Sequence, residues 1–311
     1  MQEVFYWVFN MSITAAIVGS FVMAVRQIKK IPRRLAIFLW AVPFLRMAFP
    51  FGLDSPYSLM SLLSEVATKT TVVYHPQEIV QYSPTEYISF SAKNLILFAD
   101  TYSPITYKTN VLEKVFEIAS VVWIVVALAI FLMLTVIYFT TLREIKDASH
   151  LRDNIYISDK CLTPAVYGII RPKIVLPTSY IGKDNELVIL HEREHIRRLD
   201  NLWRLLAFLL VAIHWFNPLC WIFLNTFLAD IELSCDERVL VKLGGDRSKE
   251  YALSLLESSQ SKTVFASAFG GAKIRTRIEN ILSFKKMTWV SLTAFAALIA
   301  MISYMLITNA G

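Results

Sequence analysis

The residues best suited to catalysis form a short run, His-Glu-Arg-Glu-His, that extends from His191 to His195. On a helix, two residues four positions apart share a face, so both imidazoles can reach one tetrahedral Zn²⁺ ion. Glu192 follows the first histidine, and its carboxylate is placed to take a proton from a water molecule on the metal. The spacing therefore predicts a zinc metalloendopeptidase with Glu192 as the catalytic base.

A catalytic zinc ion needs a third protein ligand, and an acidic segment at 230–237 offers one on a second helix. Glu232 and Asp236 are four residues apart, so one can bind the metal while the other accepts the far N–H of a zinc-bound histidine. Cys235 is a conceivable soft ligand. Cys235 lies on a different side of the helix from Glu232, however, so we favour a role for it as a small buried side chain. Glu237 points elsewhere and is expected to be a surface or helix-pairing charge.

The composition indicates a membrane protein. Hydrophobic residues make up 55% of the 311 residues, charged residues make up only 18%, and the mean hydropathy is +0.49. A soluble domain is closer to a quarter charged. The net charge of +6 could indicate a nucleic-acid partner, but the basic residues lie beside apolar spans, so we predict no direct nucleic acid binding. The three cysteines cannot form a disulfide framework.

Four segments are apolar and long enough to cross a bilayer as helices, namely 4–25, 35–52, 117–139 and 288–308. Of the 31 Lys and Arg residues, five lie in 26–34 and 21 lie in 140–286. The positive-inside rule therefore places both stretches in the cytoplasm and the N-terminus on the outer side of the membrane. Arg46, inside the second span, must snorkel, pair or face other helices.

This topology divides the chain into five parts. We expect transmembrane helices 1 and 2 in 1–53, an extracellular loop in 54–110, transmembrane helix 3 in 111–141, a cytoplasmic protease domain in 142–287 and transmembrane helix 4 in 288–311.

A further apolar stretch, 205–229, is interrupted by His214-Trp-Phe-Asn-Pro218. Proline lacks an amide hydrogen and disfavours helix at the residue before it, so we expect two half-length helices of about 12 residues. At about 1.5 Å per residue neither would cross the bilayer. We predict a re-entrant or interfacial helical hairpin that keeps Glu232 on the side of the histidines. The alternative is a fifth crossing kinked at Pro218. His214 could donate to an oxyanion or cap the turn.

The segment 163–177 reads as two short strands around a turn, with Pro172 and Pro177 favouring an edge position. An edge strand beside the zinc helix can pair with an extended peptide, and Gly168, Ile170 and Pro172 are the candidate residues for that role. An ordinary structural hairpin is the alternative.

Four ordered motifs together make the chain resemble the BlaR/MecR-type peptidases, a family of integral-membrane gluzincin metalloproteases. The matching stretches are 168–177, His191–His195 with Asp200 after it, His214–Pro218 and Glu232–Asp236. By this resemblance His191, His195 and Glu232 would bind Zn²⁺, Glu192 would be the catalytic base and Asp236 would support a ligand. The implied fold is a polytopic α-helical membrane protein, with four transmembrane helices, a re-entrant or interfacial hairpin and an α+β gluzincin-type zinc protease domain.

The resemblance also implies a role in transmembrane signalling and antibiotic resistance. Family members that sense β-lactams carry an extracellular penicillin-binding domain after the last span, cleave themselves and trigger loss of a DNA-binding repressor. The expected partners are therefore the lipid bilayer, a cytoplasmic protein substrate such as a repressor, the chain's own linker at Ser283 and Phe284, and a second copy in a homodimer. Because this chain stops at Gly311, we expect either a removed sensor or a short family member with another input.

Other readings remain open at this level. A housekeeping membrane zinc protease of the heat-shock or prenyl-processing type shares the two metal motifs. An intramembrane site-2-type protease would need a downstream Leu-Asp-Gly, which is absent. A non-catalytic signalling scaffold would not need Glu192. The linker 275–286 could also be an amphipathic helix with its cations at the headgroups rather than an internal substrate.

Overall fold

The computed structural model describes residues 2–28, 31–49, 54–55, 57–58, 110–259 and 272–310. The predicted extracellular loop, 54–110, lies almost entirely outside the described residues. The helices are α1 Gln2–Arg26, α2 Arg33–Ala36, α3 Ala41–Ala48, α4 Asn110–Glu144, α5 Glu186–Arg197, α6 Asp200–Ile213, α7 Pro218–Leu243, α8 Ser248–Ser259, α9 Ile274–Leu282 and α10 Trp289–Ile307. The strands are β1 Asp54–Ser55, β2 Ser149–Arg152, β3 Ile155–Ser158, β4 Ala165–Tyr167, β5 Lys173–Pro177 and β6 Asn309–Ala310. Short 3₁₀ turns occupy Ile37–Trp40 and Thr178–Tyr180.

The described chain is mostly helical, and four of its helices are long and apolar enough to cross a membrane. These segments are Val4–Arg26, Lys114–Arg143, Pro218–Leu243 and Trp289–Ile307. Three of them agree with the predicted spans, and they lie in α1, α4 and α10. The fourth is α7, which was predicted as part of a hairpin.

The second predicted span, 35–52, is not one regular helix. The chain there forms α2, the 3₁₀ turn Ile37–Trp40 and α3 in succession, and much of it is buried inside the protein. Arg46 in α3 is 2% exposed and donates to the carbonyl oxygens of Leu306 and Thr308 at the end of α10, at 3.3 and 2.7 Å. The carbonyl oxygens at the C-terminal end of a helix accept such hydrogen bonds readily, which explains how this cation is accommodated.

The helical hairpin exists, but its two arms differ in length from the prediction. The first arm, α6, has 14 residues, and the second, α7, has 26 residues and continues through the acidic segment. Pro218 occupies the first turn of α7, where a missing amide hydrogen costs nothing, and the Asn217 side chain accepts from the Leu219 amide. Proline therefore starts a long helix here instead of ending a short one.

Helix α1 packs along α7 through small and branched side chains, including Ala15, Val18 and Val22. Gly19 is required at this contact because a Cβ atom there would overlap the ring of Phe223. At the end of α1 the contact becomes polar. Arg26 Nε donates to both carboxylate oxygens of Asp230, at 2.8 and 2.7 Å.

Two further contacts attach the segment that follows α1 to helix α7. Trp40 Nε1 donates to Asp230 Oδ2 at 2.8 Å, and Arg34 pairs with Glu237 at 3.3 Å. Glu237 is therefore the helix-pairing charge that the sequence predicts. Asp230 and Glu237 bracket Glu232, so the position of the candidate metal-binding helix depends on the first membrane segments.

A four-stranded sheet in the order β2-β3-β5-β4 supports the candidate catalytic helix. Strands β4 and β5 form the predicted antiparallel pair, but β5 lies inside the sheet, parallel to β3, so the edge position expected for Pro172 and Pro177 is wrong for β5. Strand β5 can still pair with both neighbours, because its proline, Pro177, is the last residue of the strand. The edge strand is β4. Ile155, Ile174 and Leu176 of the sheet pack against Ile189 of α5.

We expect Asp230→Ala to destabilise the folded chain by about 3 kcal/mol, because Arg26 and the Trp40 indole would lose a buried anion. Thermal unfolding in detergent, followed by size-exclusion recovery, measures the effect. Asp147→Ala is the matched control, since Asp147 pairs with Lys160 on the surface. That change should cost less than about 0.5 kcal/mol. Equal effects of the two substitutions would contradict the importance of the Asp230 pair.

Candidate metal centre

Helix α5 brings the two histidines of the HExxH motif to one buried face. The helix begins at Glu186, whose amide donates to Asp184 Oδ1 at 3.1 Å. Leu187 and Ile189 anchor it against α8 and the sheet, respectively. His191 is 7% exposed and His195 is 5% exposed. Their Nε2 atoms lie 3.1 Å apart, as the spacing predicts for two side chains that bind one metal ion.

Helix α7 presents Glu232 to both imidazoles. The two carboxylate oxygens lie 3.7 Å from His191 Nε2 and 3.7 Å from His195 Nε2, one oxygen to each ring. Glu232 and the histidines therefore meet at one point, which requires the hairpin to return to the side from which it started. A helix that carried Glu232 across the bilayer could not make these contacts.

The second ring nitrogen of His195 is held by a carboxylate. His195 Nδ1 lies 2.6 Å from Asp200 Oδ2, so Asp200 accepts the Nδ1 proton and the lone pair of Nε2 is left free. Leu199, between α5 and α6, has a φ of 57°, an uncommon conformation for a residue with a branched side chain. This tight reversal is what returns Asp200, the first residue of α6, to the histidine five positions earlier.

The second ring nitrogen of His191 is held by a hydroxyl group. The Tyr251 hydroxyl of α8 lies 2.8 Å from His191 Nδ1 and donates to Asp236 Oδ1 at 2.6 Å. The direct distance from His191 Nδ1 to Asp236 Oδ1 is 3.4 Å. Asp236 was predicted to accept the histidine N–H itself. Instead, the Tyr251 hydroxyl relays that contact.

Cys235 lies closer to the centre than the sequence suggested. Its thiol is fully buried, 3.5 Å from His191 Nδ1, and the thiol and one nitrogen of each histidine lie within 4.8 Å of one another. The hydrogen-bonded nitrogen, Nδ1, is the one that also faces Tyr251. Glu232 faces the two Nε2 atoms and the cavity described below, whereas Cys235 does not line that cavity. An open coordination position therefore fits Glu232 as third ligand better than Cys235.

Two arginines surround Glu232. Arg204 of α6 donates to Glu232 Oε1 at 2.6 Å, and Arg277 Nη1 of α9 lies 3.2 Å from Glu232 Oε2. Arg277 also donates to both oxygens of Asp236, at 2.7 and 2.8 Å, and to His191 Nε2 at 3.2 Å. Together with Asp200, the centre therefore combines three carboxylates, two imidazoles and two guanidinium groups.

The charges explain the protonation of the histidines. Burial alone lowers the pKa of His195, but the nearby Cys235 and Glu232 raise it to about 9. The pKa of His191 is raised as well: burial lowers it, and Cys235 and Glu232 more than offset this. The surroundings thus favour a positive charge between the rings, whether a proton or a metal ion supplies it.

A cavity of about 440 Å³ opens onto this cluster. Val166 of strand β4 and Phe208 of α6 contribute apolar walls, and Arg204 and Arg277 contribute charge. Glu192 also lines the cavity, and among the residues that the structure describes none donates a hydrogen bond to its carboxylate. The carboxylate is therefore free to exchange a proton with a molecule inside the cavity.

The other predicted site residues lie elsewhere. Gly168, Ile170 and Pro172 belong to the turn between β4 and β5, where Gly168 has a φ of 87° and Ile170 is 93% exposed. The strand that borders the cavity is Ala165–Tyr167, so the candidate substrate edge shifts to these earlier residues.

His214 is buried at the far end of α6, and its Nε2 lies 3.1 Å from the Met47 carbonyl oxygen. It does not line the cavity, so it occupies the structural position at the turn and not the oxyanion position. Ser283 and Phe284 follow α9 and also lie outside the cavity, and Phe284 packs on the core formed by α7, α8 and α9.

The linker helix, α9, is amphipathic, which agrees with one of the two interpretations of the segment 275–286. Ile281 of α9 is buried and Arg275 is 88% exposed on its side chain. Arg277, two residues later, turns inward to the carboxylates and was not singled out as a site residue. Asp200 had a signal in the sequence, because it follows His195, the last residue of the HExxH motif, by five residues. Tyr251 had none, since it lies 15 residues beyond Asp236 on a separate helix.

Comparison with known proteins gives one family match. The sequence profile described as BlaR1 peptidase M56 matches residues 6–281, which is most of the chain. The matched region includes α5, α7, α8 and all but the last residue of α9, and therefore every residue of the cluster.

Curated relatives match over shorter segments. The regulatory protein BlaR1 of Bacillus licheniformis is 31% identical over 133 residues, which are 40% of this chain and 22% of the relative. The methicillin resistance mecR1 protein of Staphylococcus aureus is 34% identical over 104 residues, which are 32% of this chain and 18% of the relative. The aligned segments thus span about a fifth of the length of these relatives.

We expect Tyr251→Phe to weaken metal binding by roughly tenfold to a hundredfold, because the ring stays packed while His191 loses its hydroxyl partner. Metal release to a chelator, followed as a rate at fixed pH, measures this. Ser254→Ala is the control: Ser254 lies one turn later on α8 and lines the cavity, but its hydroxyl donates to the Tyr251 carbonyl oxygen. If Tyr251→Phe and the wild type released metal at equal rates, the hydroxyl would have no positioning role.

Proposed function

The chain belongs to the BlaR1 peptidase M56 family, and from that premise we propose that it is a membrane-embedded zinc endopeptidase that acts in transmembrane signalling. The observation that carries the proposal is the convergence of the His191, His195 and Glu232 side chains beside the unpaired carboxylate of Glu192, at the wall of one cavity.

The donor set fits zinc. Two imidazole nitrogens and one carboxylate are a common ligand set of catalytic zinc sites, which leave one position open. In both imidazoles the opposite nitrogen, Nδ1, is tied to a hydrogen-bond partner, which turns both Nε2 lone pairs toward Glu232. His191, His195 and Glu232 would hold the ion. When bound, zinc would polarise the scissile carbonyl and lower the pKa of a coordinated water molecule.

Glu192 is proposed to move the proton in this reaction. Its carboxylate would accept a proton from the attacking water and return it to the leaving amine nitrogen, which completes hydrolysis of one peptide bond. Glu192 follows His191 on α5 and lines the cavity in which the substrate would bind.

Arg277 and Arg204 are proposed to stabilise the negative oxygen that develops on the carbonyl. Their guanidinium groups sit in a partly buried cavity, where a fixed positive charge acts more strongly than in water. The lone pair of His191 Nε2 cannot bind a metal and accept from Arg277 at once. Arg277 would therefore retain its two bonds to Asp236 and turn the remaining N–H groups toward substrate.

The substrate backbone is proposed to add to the free edge of β4. This strand is the last in the sheet, and Ala165 and Val166 line the cavity. Asn201 donates to the Val166 and Gly168 carbonyl oxygens, at 3.0 and 3.1 Å, which are the groups a peptide would otherwise use. Substrate would therefore replace Asn201 at one or both of these oxygens.

The proposed cellular setting follows the family and the charge distribution. The basic segments would place the peptidase region in the cytoplasm of a bacterium, with the N-terminus outside. The substrate would be a cytoplasmic protein, such as a DNA-binding repressor, and a homodimer would be the assembled form. The names of the relatives, a regulatory protein and a methicillin resistance protein, support a signalling role over housekeeping proteolysis.

We expect Glu192→Ala to keep zinc and lose peptidase activity by roughly 10²-fold to 10⁴-fold, because only the proton transfer is removed. Glu232→Ala should lose both zinc and activity, whereas Cys235→Ser should retain zinc. Zinc content by elemental analysis and cleavage of a quenched peptide by the purified chain measure the two effects. Glu279→Gln is the control, because Glu279 is exposed and pairs only with Arg275. A fully active Glu192→Ala variant would refute the mechanism.

Self-cleavage in the linker gives a separate test. If the Ser283–Phe284 bond is an internal substrate, the wild type should yield fragments that end near residue 283 and Glu192→Ala should yield none. Intact-mass measurement after purification reads this directly. Because this bond lies outside the cavity, cleavage in one molecule would require α9 to leave its present position. Identical fragments from both proteins would exclude it.

A further inference from the structure

A second cavity, of about 360 Å³, lies on the other side of α6 from the metal centre. It is enclosed by the start of α3 with the preceding 3₁₀ turn, by the end of α5, by the first turn of α6 and by α7. Aromatic side chains form most of its apolar wall, namely Phe38, Phe44, Trp203 and Phe227. Arg197, Arg198 and Arg238 form the opposite, charged part, together with Asp200.

Arg238 lacks the partners expected of a cation that is half-buried. Its Nε atom is buried without a hydrogen bond, and no residue in the described part of the chain lies within ion-pair distance of its guanidinium group. Arg238 as a whole is half-buried, and a half-buried cation without a partner is less favourable than one joined by an anion.

The neighbouring carboxylates are already engaged. Glu237 pairs with Arg34, Glu194 pairs with Lys242, and Asp200 forms an ion pair with Arg198 at 3.3 Å and accepts from His195 Nδ1. Arg197, on the exposed end of α5, has no hydrogen bond or ion pair with any described residue either. Arg197 and Arg238 therefore leave two positive charges uncompensated around one cavity.

The apolar wall of the cavity continues to the outside of the helix bundle. Phe38 is 56% exposed and Trp203 is 48% exposed, and Phe38 lies in the apolar segment that follows the basic stretch 26–34. Tryptophan beside arginine is the composition expected at a membrane–water boundary. A ligand of this cavity thus meets guanidinium groups at one end and exposed aromatic rings at the other.

We propose that this cavity, lined by Arg197, Arg198, Arg238, Phe38 and Trp203, binds the headgroup of an anionic phospholipid. The phosphate would lie between Arg197 and Arg238, and the first part of an acyl chain would cover the rings of Phe38 and Trp203. Basic pockets between membrane helices are suited to such headgroups. A free phosphate ion would satisfy the cations but would leave the aromatic rings uncovered, so the lipid is the occupant that uses both parts.

The lipid site shares one residue with the metal centre. Asp200 Oδ1 forms an ion pair with Arg198 in the lipid cavity, and Asp200 Oδ2 accepts from His195 in the metal centre. A headgroup that attracts Arg198 would act on the carboxylate that orients His195. Lipid binding itself does not depend on the proposed peptidase function, and its test requires no catalytic activity.

The test uses native mass spectrometry of the full chain, purified in detergent and titrated with phosphatidylglycerol or with phosphatidylcholine of the same acyl chains. We expect the wild type to retain phosphatidylglycerol in preference to phosphatidylcholine. Arg238→Gln and Arg197→Gln should each weaken that retention by roughly fivefold. Arg275→Gln is the matched control, because Arg275 is an exposed arginine that pairs with Glu279 outside this cavity. Arg197→Gln guards against a folding defect, since Arg197 is exposed.

Three results would overturn the proposal. Retention of phosphatidylglycerol by both Arg238→Gln and Arg197→Gln at the wild-type level would show that these cations do not hold the headgroup. Equal retention of phosphatidylcholine would show that the net charge of the headgroup is not recognised. A thermal stabilisation by inorganic phosphate as large as that by phosphatidylglycerol would assign the site to a free anion instead of a lipid.

Discussion

The approach of two imidazole nitrogens, His191 Nε2 and His195 Nε2, to 3.1 Å is the constraint on which the rest of the site depends. Such an approach is stabilised when negative charge compensates a proton or a metal ion between the two nitrogens and when the other ring nitrogens are held by hydrogen bonds. The first condition is met by Glu232, and the second by Asp200 and Tyr251. These three residues come from α7, α6 and α8. The hairpin formed by α6 and α7 therefore has to bring Glu232 back to the histidines.

Much of this arrangement could be predicted from the sequence. Residues that act through a fixed local spacing, such as the histidine pair on α5, were found because helical periodicity is independent of the remaining fold. Three long apolar helices were found because their length and apolar composition are also local properties of the sequence. The proximity of Glu232 to the histidines was predicted from two considerations. Pro218 interrupts the apolar stretch, and the metal ion needs a third protein ligand.

The remainder depended on contacts between distant segments. The lengths of the hairpin arms were wrong because Pro218 starts a helix as readily as it ends one, and only packing against α1 decides the outcome. The interior position of β5 was missed because β3, which pairs with it, had not been identified as a strand. Tyr251 and Arg277 carry no local pattern. They reach the site because α8 and α9 pack on α7, which side-chain volume in the core determines.

Helix α7 serves two environments within two residues. Asp230 faces Arg26 and Trp40 at the end of the first membrane helix, whereas Glu232 faces the imidazoles. A fragment that began after α4 would retain all the candidate zinc ligands. It would, however, leave the Asp230 carboxylate without its partners and expose the rings of Phe223 and Phe227. The part of the molecule that carries the candidate metal ligands is therefore not an autonomous module, and its geometry depends on the intact bundle of helices.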